Sequence, residues 1–440
     1  MAIGMRRGDG TAGRGLRRHV GKAAVVALAL LTAACSGGGH RTSQVRPAAN
    51  AKTRAAVAVP EVKITPANGA ADADPSAGIT VTATGGTLKN VTVRTSADAV
   101  SGRLSQSSKV WHSQWALDVS QAYTVTATAS GSGGGTVTAT SAFRTLTPAR
   151  TFRTEILEGY GQTYGVGMPI ILYFSQRITD KAAVERALQI TTSKPVVGAW
   201  YWDDPCNMAA TCAYFRPRDY WPAGTTVNFT GHLNGVQGAP GMYGAHTLTQ
   251  TFGIGASLVA IGNTAKHRTQ IYYHGKLRYD WPISSGRPGD DTPDGSYLTI
   301  EKENPVQMTG PGYSISVPWS VRFTFSGDYY HDAYWSVGEQ GFQNVSHGCV
   351  NLSPADAETY YNLAVPGDPI TITGSPKAGT WDNGWTEWFL SWPQYLRGSA
   401  LHEAVQAGPG GSTFVNPSTL PASTAAAPLQ TPSANNSAAR

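Results

Sequence analysis

Charge is what this chain of 440 residues has least of: Asp, Glu, Lys and Arg make up 14% of it, against 41% apolar residues. The helix formers Leu, Glu and Lys are thin while Gly, Ser, Thr, Ala and aromatics are plentiful, a composition of exported all-β proteins that speaks against a mainly helical fold. A formal charge of +6 hints at an acidic partner, but six of the 34 basic residues precede Cys35, against the single acidic Asp9. The remainder carries 28 basic and 27 acidic groups, so a nucleic-acid partner loses its support. The apolar run Ala23 to Leu31 is too short for a permanent membrane span.

Cysteine is nearly as scarce, with four in all. Arg14, Arg17, Arg18 and Lys22 stand before the apolar run, and Leu31-Thr-Ala-Ala-Cys35 ends it, which reads as an export signal over residues 1–34. Small residues directly before Cys35 are similar to a lipoprotein cleavage site, although Thr32 stands where Leu is usual; Cys35 is then the lipid-attachment residue and the membrane a partner. Ordinary signal cleavage is the alternative, and Arg17-Arg18 leaves twin-Arg export open. Cys206 and Cys212 are near enough in sequence to close a small disulfide loop. Cys349 is left over, and a free thiol in an oxidising compartment points to nucleophilic catalysis.

Length alone predicts two or three domains. Residues 35–60 have the composition of a flexible tether. Residues 61–148 hold alternating runs such as Tyr123-Thr-Val-Thr-Ala-Thr, and residues 149–255 hold Pro169-Ile-Ile-Leu-Tyr-Phe, Pro195-Val-Val-Gly-Ala-Trp-Tyr-Trp, Cys212-Ala-Tyr-Phe and Thr226-Val-Asn-Phe. Each stretch predicts a β-sandwich, the second with a helical patch from Lys181 to Leu188. Residues 256–375 open on a strand and a hairpin around a Gly turn, Gln270 to Trp281, and contain one helix announced by Ser353, Pro354 and Asp356. In residues 376–406, Trp385, Trp388, Phe389, Trp392 and Leu396 fall at helical spacing, predicting an apolar stripe that docks onto the domain before it, with carbohydrate binding as the alternative. Residues 407–440 show no pattern and are expected to be disordered.

The chemistry concentrates in Ser346-His-Gly-Cys-Val-Asn351 and in His331, with fourteen residues between His331 and Ser346. Acyl transfer requires a nucleophile, a base within reach and donors for an oxyanion. A thiol near a His is expected to lose its proton at neutral pH, and Gly348 lets the backbone turn sharply beside it. Two neighbouring strands could bring His331 to Cys349. An inert buried Cys349 is the bland alternative. His331, His347 and Cys349 could also bind zinc, but no fourth ligand stands at a familiar spacing, so neither metal nor cofactor is expected.

His-x14-Ser-His-Gly-Cys-Val-Asn resembles the signature of L,D-transpeptidases with the YkuD-type catalytic domain. With two immunoglobulin-like modules in front and a Trp-rich extension behind, the arrangement resembles the actinobacterial lipoprotein type. The resemblance implies a mainly β fold. It further implies an enzyme that cross-links peptidoglycan between third-position residues, taking a donor tetrapeptide and an acceptor amine as partners and releasing D-Ala from a cysteine acyl-enzyme. On this reading Cys349 is the nucleophile and His331 the base, oriented by the backbone carbonyl of Asp332. His347 and the N–H groups of Gly348 and Cys349 shape the oxyanion site, while Ser346 and Asn351 hold the loop. Met308, Trp335 and Asn351 are expected to line the substrate site, with Phe325 in the lid where relatives carry Tyr. An L,D-carboxypeptidase that uses water, and a non-catalytic wall-binding surface protein, are the alternative functions.

Overall fold

The computed structural model describes residues 59–206, 208–310 and 313–423. Cys35 and the expected export signal over residues 1–34 lie outside the described residues. No helix among the described residues is long and apolar enough to cross a membrane.

The first sandwich packs a four-stranded sheet, in the order Glu61–Thr65, Thr80–Thr84, Val110–Ser113 and Gly102–Leu104, on a three-stranded one, Gly86–Arg94, Ala122–Gly131 and Thr136–Arg144. Period-two patterning explains the packing: in Ala122–Gly131, Tyr123, Val125, Ala127 and Ala129 are buried while the residues between them are more open. The second sandwich is built on larger side chains, with Trp200, Phe215, Phe229 and Trp221 at its centre. Its helix runs Lys181–Arg186, capped by the Asp180 carboxylate, and yields to the strand Leu188–Thr192. Cys206 and Cys212 are joined by a disulfide, leaving Cys349 as the free cysteine among the described residues.

The third unit supplies the frame for the site. A five-stranded sheet has the order Lys276–Pro282, Arg268–Tyr273, Leu258–Asn263, Pro369–Thr373 and Gly295–Leu298. The hairpin at its edge turns through His274 (φ 50°) and Gly275 (φ 73°), the left-handed pair that matches the twist of adjoining strands. A second, four-stranded sheet runs Glu301–Glu303, Ser320–Arg322, Tyr329–Asp332 and Val350–Leu352. Helix Pro354–Leu363 begins with the Ser353 hydroxyl accepting from the Asp356 N–H, and it buries Tyr360 against Tyr330 with ring centres 5.1 Å apart. The helix therefore buttresses the strand that carries His331.

The C-terminal segment departs from expectation twice. Its aromatics form no single helical stripe, because Pro393, which lacks an N–H, lies in the first turn of a short helix, Trp392–Leu396, capped by Ser391. A separate 3-10 turn, Glu387–Phe389, precedes it. The rings face two ways: Phe389 meets Tyr297 of the third unit edge-on, whereas Trp388 donates to the Gly167 carbonyl (2.8 Å) and Tyr395 to that of Tyr214 (2.9 Å) in the second sandwich. The second departure is beyond residue 407, where disorder was expected and strand Gly411–Val415 is found. It pairs with Ala404–Gly408, which adds to the edge strand Val196–Asp203 of the second sandwich with Ala407 opposite Val196. An open sheet edge is a template for any extended segment, so this pairing needs little propensity in the segment itself.

Candidate active site

Strand Tyr329–Asp332 lies parallel to Val350–Leu352 with His331 opposite Asn351 and Tyr330 opposite Val350. Neighbouring strands are about 4.8 Å apart and side chains alternate between faces, so Cys349, two residues before Asn351, shares a face with His331. Both line one cleft of about 420 Å³, together with Met308, Ile315, Trp335, Ser336, Glu339, His347 and Asn351. The remote base and the nucleophile are thus brought together by strand register.

His331 is buried at 3% exposure and its Nδ1 lies 2.7 Å from the Asp332 carbonyl oxygen. A carbonyl only accepts, so Nδ1 carries the hydrogen and Nε2 is left with a lone pair. Burial pulls the imidazole pKa down to about 4, partly opposed by that hydrogen bond. The Trp335 ring lies over the imidazole at 5.9 Å between centres, inclined by 29°.

The thiol departs from expectation. Burial pushes Cys349 up to about 12, the Asp328 carboxylate adds to the shift, and the Tyr329 N–H opposes it. The sulfur is 3.7 Å from the Gly327 carbonyl oxygen, to which it can donate. Both shifts, His331 down and Cys349 up, favour neutral thiol and neutral imidazole over thiolate and imidazolium. Desolvation is the largest cause of both shifts.

The nucleophile loop is held from both sides. The Ser346 N–H donates to the Ser285 carbonyl (3.0 Å), the Ser346 hydroxyl to the Cys349 carbonyl (2.5 Å), and the Thr292 hydroxyl to the Gly348 carbonyl (2.6 Å). Gly348 has φ 132°, and a Cβ there would stand 2.3 Å from Asp328 Oδ1, so only glycine fits. Its N–H, expected to face an oxyanion, donates instead to the Ser346 hydroxyl at 3.2 Å. The tight turn aims it back into the loop. Asn351 is buried and donates from Nδ2 to Ser336 Oγ at 2.9 Å, tying its strand to the 3-10 turn Tyr334–Ser336 that follows the His331 strand. His347 is exposed at the cleft mouth.

Met308 lies on the hairpin Val306–Gly310 with Tyr313–Val317 and packs beside Cys349. Phe325 does not join it. Forty per cent exposed, it lines a separate hollow with Trp381, Trp385 and Met208, because the turn after Arg322 carries it away from the cleft. Sequence reasoning missed Thr292, Asn344, Ser336 and Asp328. Asn344 accepts from the Ser285 N–H (3.0 Å) and hydroxyl (2.8 Å) and donates to the Thr264 carbonyl (3.1 Å), clamping the loop to its neighbours. Only Thr292, in the Thr-Pro-Asp-Gly turn, carried a local signal, and that signal spoke of a turn rather than of the site.

Residues 70–237 match the model of a bacterial Ig domain, and residues 258–372 that of an L,D-transpeptidase catalytic domain. L,D-transpeptidase 5 of Mycobacterium tuberculosis (strain ATCC 25618 / H37Rv) is 34% identical over 351 residues, covering 78% of this chain and 77% of that protein. L,D-transpeptidase 2 of Mycobacterium tuberculosis (strain CDC 1551 / Oshkosh) is 30% identical over 409 residues, covering 89% and 98%. A solved L,D-transpeptidase from Mycobacterium tuberculosis H37Rv is 32% identical, covers 50% of this chain and 96% of its own, and superposes with a TM-score of 0.41. With a mainly β architecture of Ig-like sandwiches ahead of a cleft that joins His331 to Cys349, this chain belongs to the L,D-transpeptidase family.

Proposed function

We propose that the chain cross-links peptidoglycan stem peptides through a thioester on Cys349. The observation that carries this reading is the pairing, in one cleft, of a free thiol with an imidazole whose Nε2 lone pair is kept available by the Nδ1 bond to the Asp332 carbonyl. Cys349 Sγ attacks the carbonyl of the third stem residue while its proton passes to His331 Nε2. The bond from that carbonyl to the terminal D-Ala nitrogen then breaks, and His331 returns the proton to the departing amine. A side-chain amine of a neighbouring stem next attacks the thioester and yields its proton to His331; the carbon–sulfur bond breaks and Cys349 is reprotonated. A neutral resting pair suits this sequence, since the nucleophile and the base carry no charge of their own until attack begins.

The tetrahedral oxygen would lie against the Cys349 N–H and His347, with Ser346 holding the turn. Met308 and Trp335 would flank the donor peptide. Export followed by lipid attachment at Cys35 would hold this chemistry at the outer face of the cytoplasmic membrane. The test is incubation of purified protein with disaccharide-tetrapeptide: a cross-linked dimer, free D-Ala and a thioester on the Cys349 peptide by mass spectrometry are expected. Trimmed tripeptide without dimer would instead identify a hydrolase, and no thioester would end the cysteine mechanism.

A further inference from the structure

A carboxylate stands where it opposes the chemistry just described. Asp328 lies in the turn before the His331 strand, and the same turn borders the nucleophile, with Cys349 Sγ 3.7 Å from the Gly327 carbonyl oxygen. The turn is rigid: Arg322 donates to the Thr324 (2.9 Å) and Phe325 (2.7 Å) carbonyls, and Asn383 Oδ1 accepts from the Ser326 N–H (2.8 Å). Asp328 Oδ2 accepts from the Thr324 hydroxyl (2.7 Å) and the Ser326 hydroxyl (3.1 Å). These bonds orient the group so that Oδ1 faces the α-carbon of Gly348, the residue before the nucleophile. Arg322 pairs with Glu301, and none of the ion pairs among the described residues involves Asp328.

A negative charge at this place raises the energy of a thiolate and of the oxyanion that follows attack. Asp328 is partly exposed and lies beside the loop that ends in Cys349. A cation delivered with the substrate would cancel the repulsion at the moment of reaction, whereas water or a neutral peptide would not. We propose that Asp328 is the seat for the side-chain ammonium of the donor peptide's diamino residue, and so makes acylation of Cys349 depend on a free primary amine there. This rests on the transpeptidase reading and adds to it a choice among donors. The rival seat is Glu339, a carboxylate on the cleft wall itself.

The experiment measures single-turnover acylation of Cys349 by intact mass, without acceptor, using two tetrapeptide donors that differ only in whether the third residue's side-chain amine is free or acetylated. Wild type should acylate with the free-amine donor about tenfold faster, and Asp328→Asn should shrink the gap to about twofold, the acetylated donor reacting at least as fast as with wild type. A purely structural role would slow both donors alike in Asp328→Asn and would overturn the proposal. So would a preference that survives in Asp328→Asn, or one that disappears instead in Glu339→Gln. If wild type takes a carbapenem on Cys349 but neither donor, the transpeptidase reading fails and the seat with it. If both donors react equally in wild type, the seat alone fails.

Discussion

Glu185 and His331 are both buried titratable groups, at 0% and 3% exposure, yet their surroundings differ in one respect. The Glu185 carboxylate accepts from Trp202 Nε1 (2.7 Å), the Ser399 hydroxyl (2.6 Å) and the Ala400 N–H (2.8 Å), which fastens the C-terminal segment to the second sandwich. Nearby, the Arg216 guanidinium lies 4.3 Å from both the Trp388 and Tyr395 ring centres and donates to the Leu390 carbonyl (2.9 Å). The Glu185 carboxylate is saturated, whereas Arg216 Nε and Glu387 Oε2 in the same seam have no hydrogen-bond partner. His331 instead has one nitrogen bonded and one left open toward a thiol, and Cys349 meets a carboxylate rather than a cation. Glu185, saturated by partners, serves cohesion, and His331, with one nitrogen unbonded beside a thiol-lined cleft, suits chemistry.

The contrast can be broken most completely at the nucleophile. Cys349→Ala should abolish acylation by a carbapenem and turnover of tetrapeptide, while thermal unfolding stays close to wild type, since a thiol is a small loss of packing. An adduct that persists in this variant by intact-protein mass would remove Cys349 from the mechanism. His331→Gln should lower the acylation rate by about 10²–10⁴-fold at neutral pH, measured by stopped-flow with the same carbapenem. Because the thiol is pushed up to about 12, hydroxide should rescue this variant only in strongly alkaline buffer.

Protonation gives the next test. The folded protein keeps His331 neutral down to about 4, against 6.5 for an ordinary imidazole. Wild-type acylation should therefore hold from neutral pH to about pH 5 and fall as pH approaches 4. The same shift acts on folding: between 6.5 and 4 the unfolded chain takes a proton that the folded one refuses, so stability present above 6.5 is lost as pH falls through that window. Denaturant midpoints across it should decline more steeply for wild type than for His331→Gln, and parallel declines would assign the acid sensitivity elsewhere.

On the other side of the comparison, Glu185→Ala should leave three buried donors without an acceptor and cost about 3 kcal/mol in chemical unfolding, while the folded fraction keeps its acylation rate. A loss of rate per folded molecule would mean that the seam reaches into the site. The smallest effect is expected from Phe325→Tyr, because Phe325 lines a different hollow from Cys349. Its acylation rate should match wild type, and faster acylation would return the residue to the lid.

Much of this was legible in the chain itself. The alternation of Tyr123, Val125, Ala127 and Ala129 announces a half-buried strand because side-chain direction in a strand depends on parity alone, and Ser353-Pro354 announces a helix because the first turn has free N–H groups that a hydroxyl can accept from. His331, the Ser346–Asn351 block and the Cys206–Cys212 pair could be named because their residue types limit what they do. The strand at Gly411–Val415 could not, since its hairpin partner Ala404–Gly408 is itself held by an edge, Val196–Asp203, more than two hundred residues away and its own composition is that of a loop. Phe325 could be numbered but not aimed: the Arg322-braced turn that carries it off the cleft draws on Asn383 in a distant segment.

Sequence by itself determined which atoms are available for chemistry: one unpaired thiol, an imidazole at a set spacing, and a glycine where the backbone must turn. Only the tertiary structure decided their state. Whether Cys349 rests as thiol or thiolate, whether His331 is charged, and which N–H of the loop is already bonded are sums over burial and charge from every element around the cleft. Those sums depend on distance in space, and residues such as Asp328, Thr292 and Tyr329 enter them because strands and turns far apart in the chain converge on one sulfur.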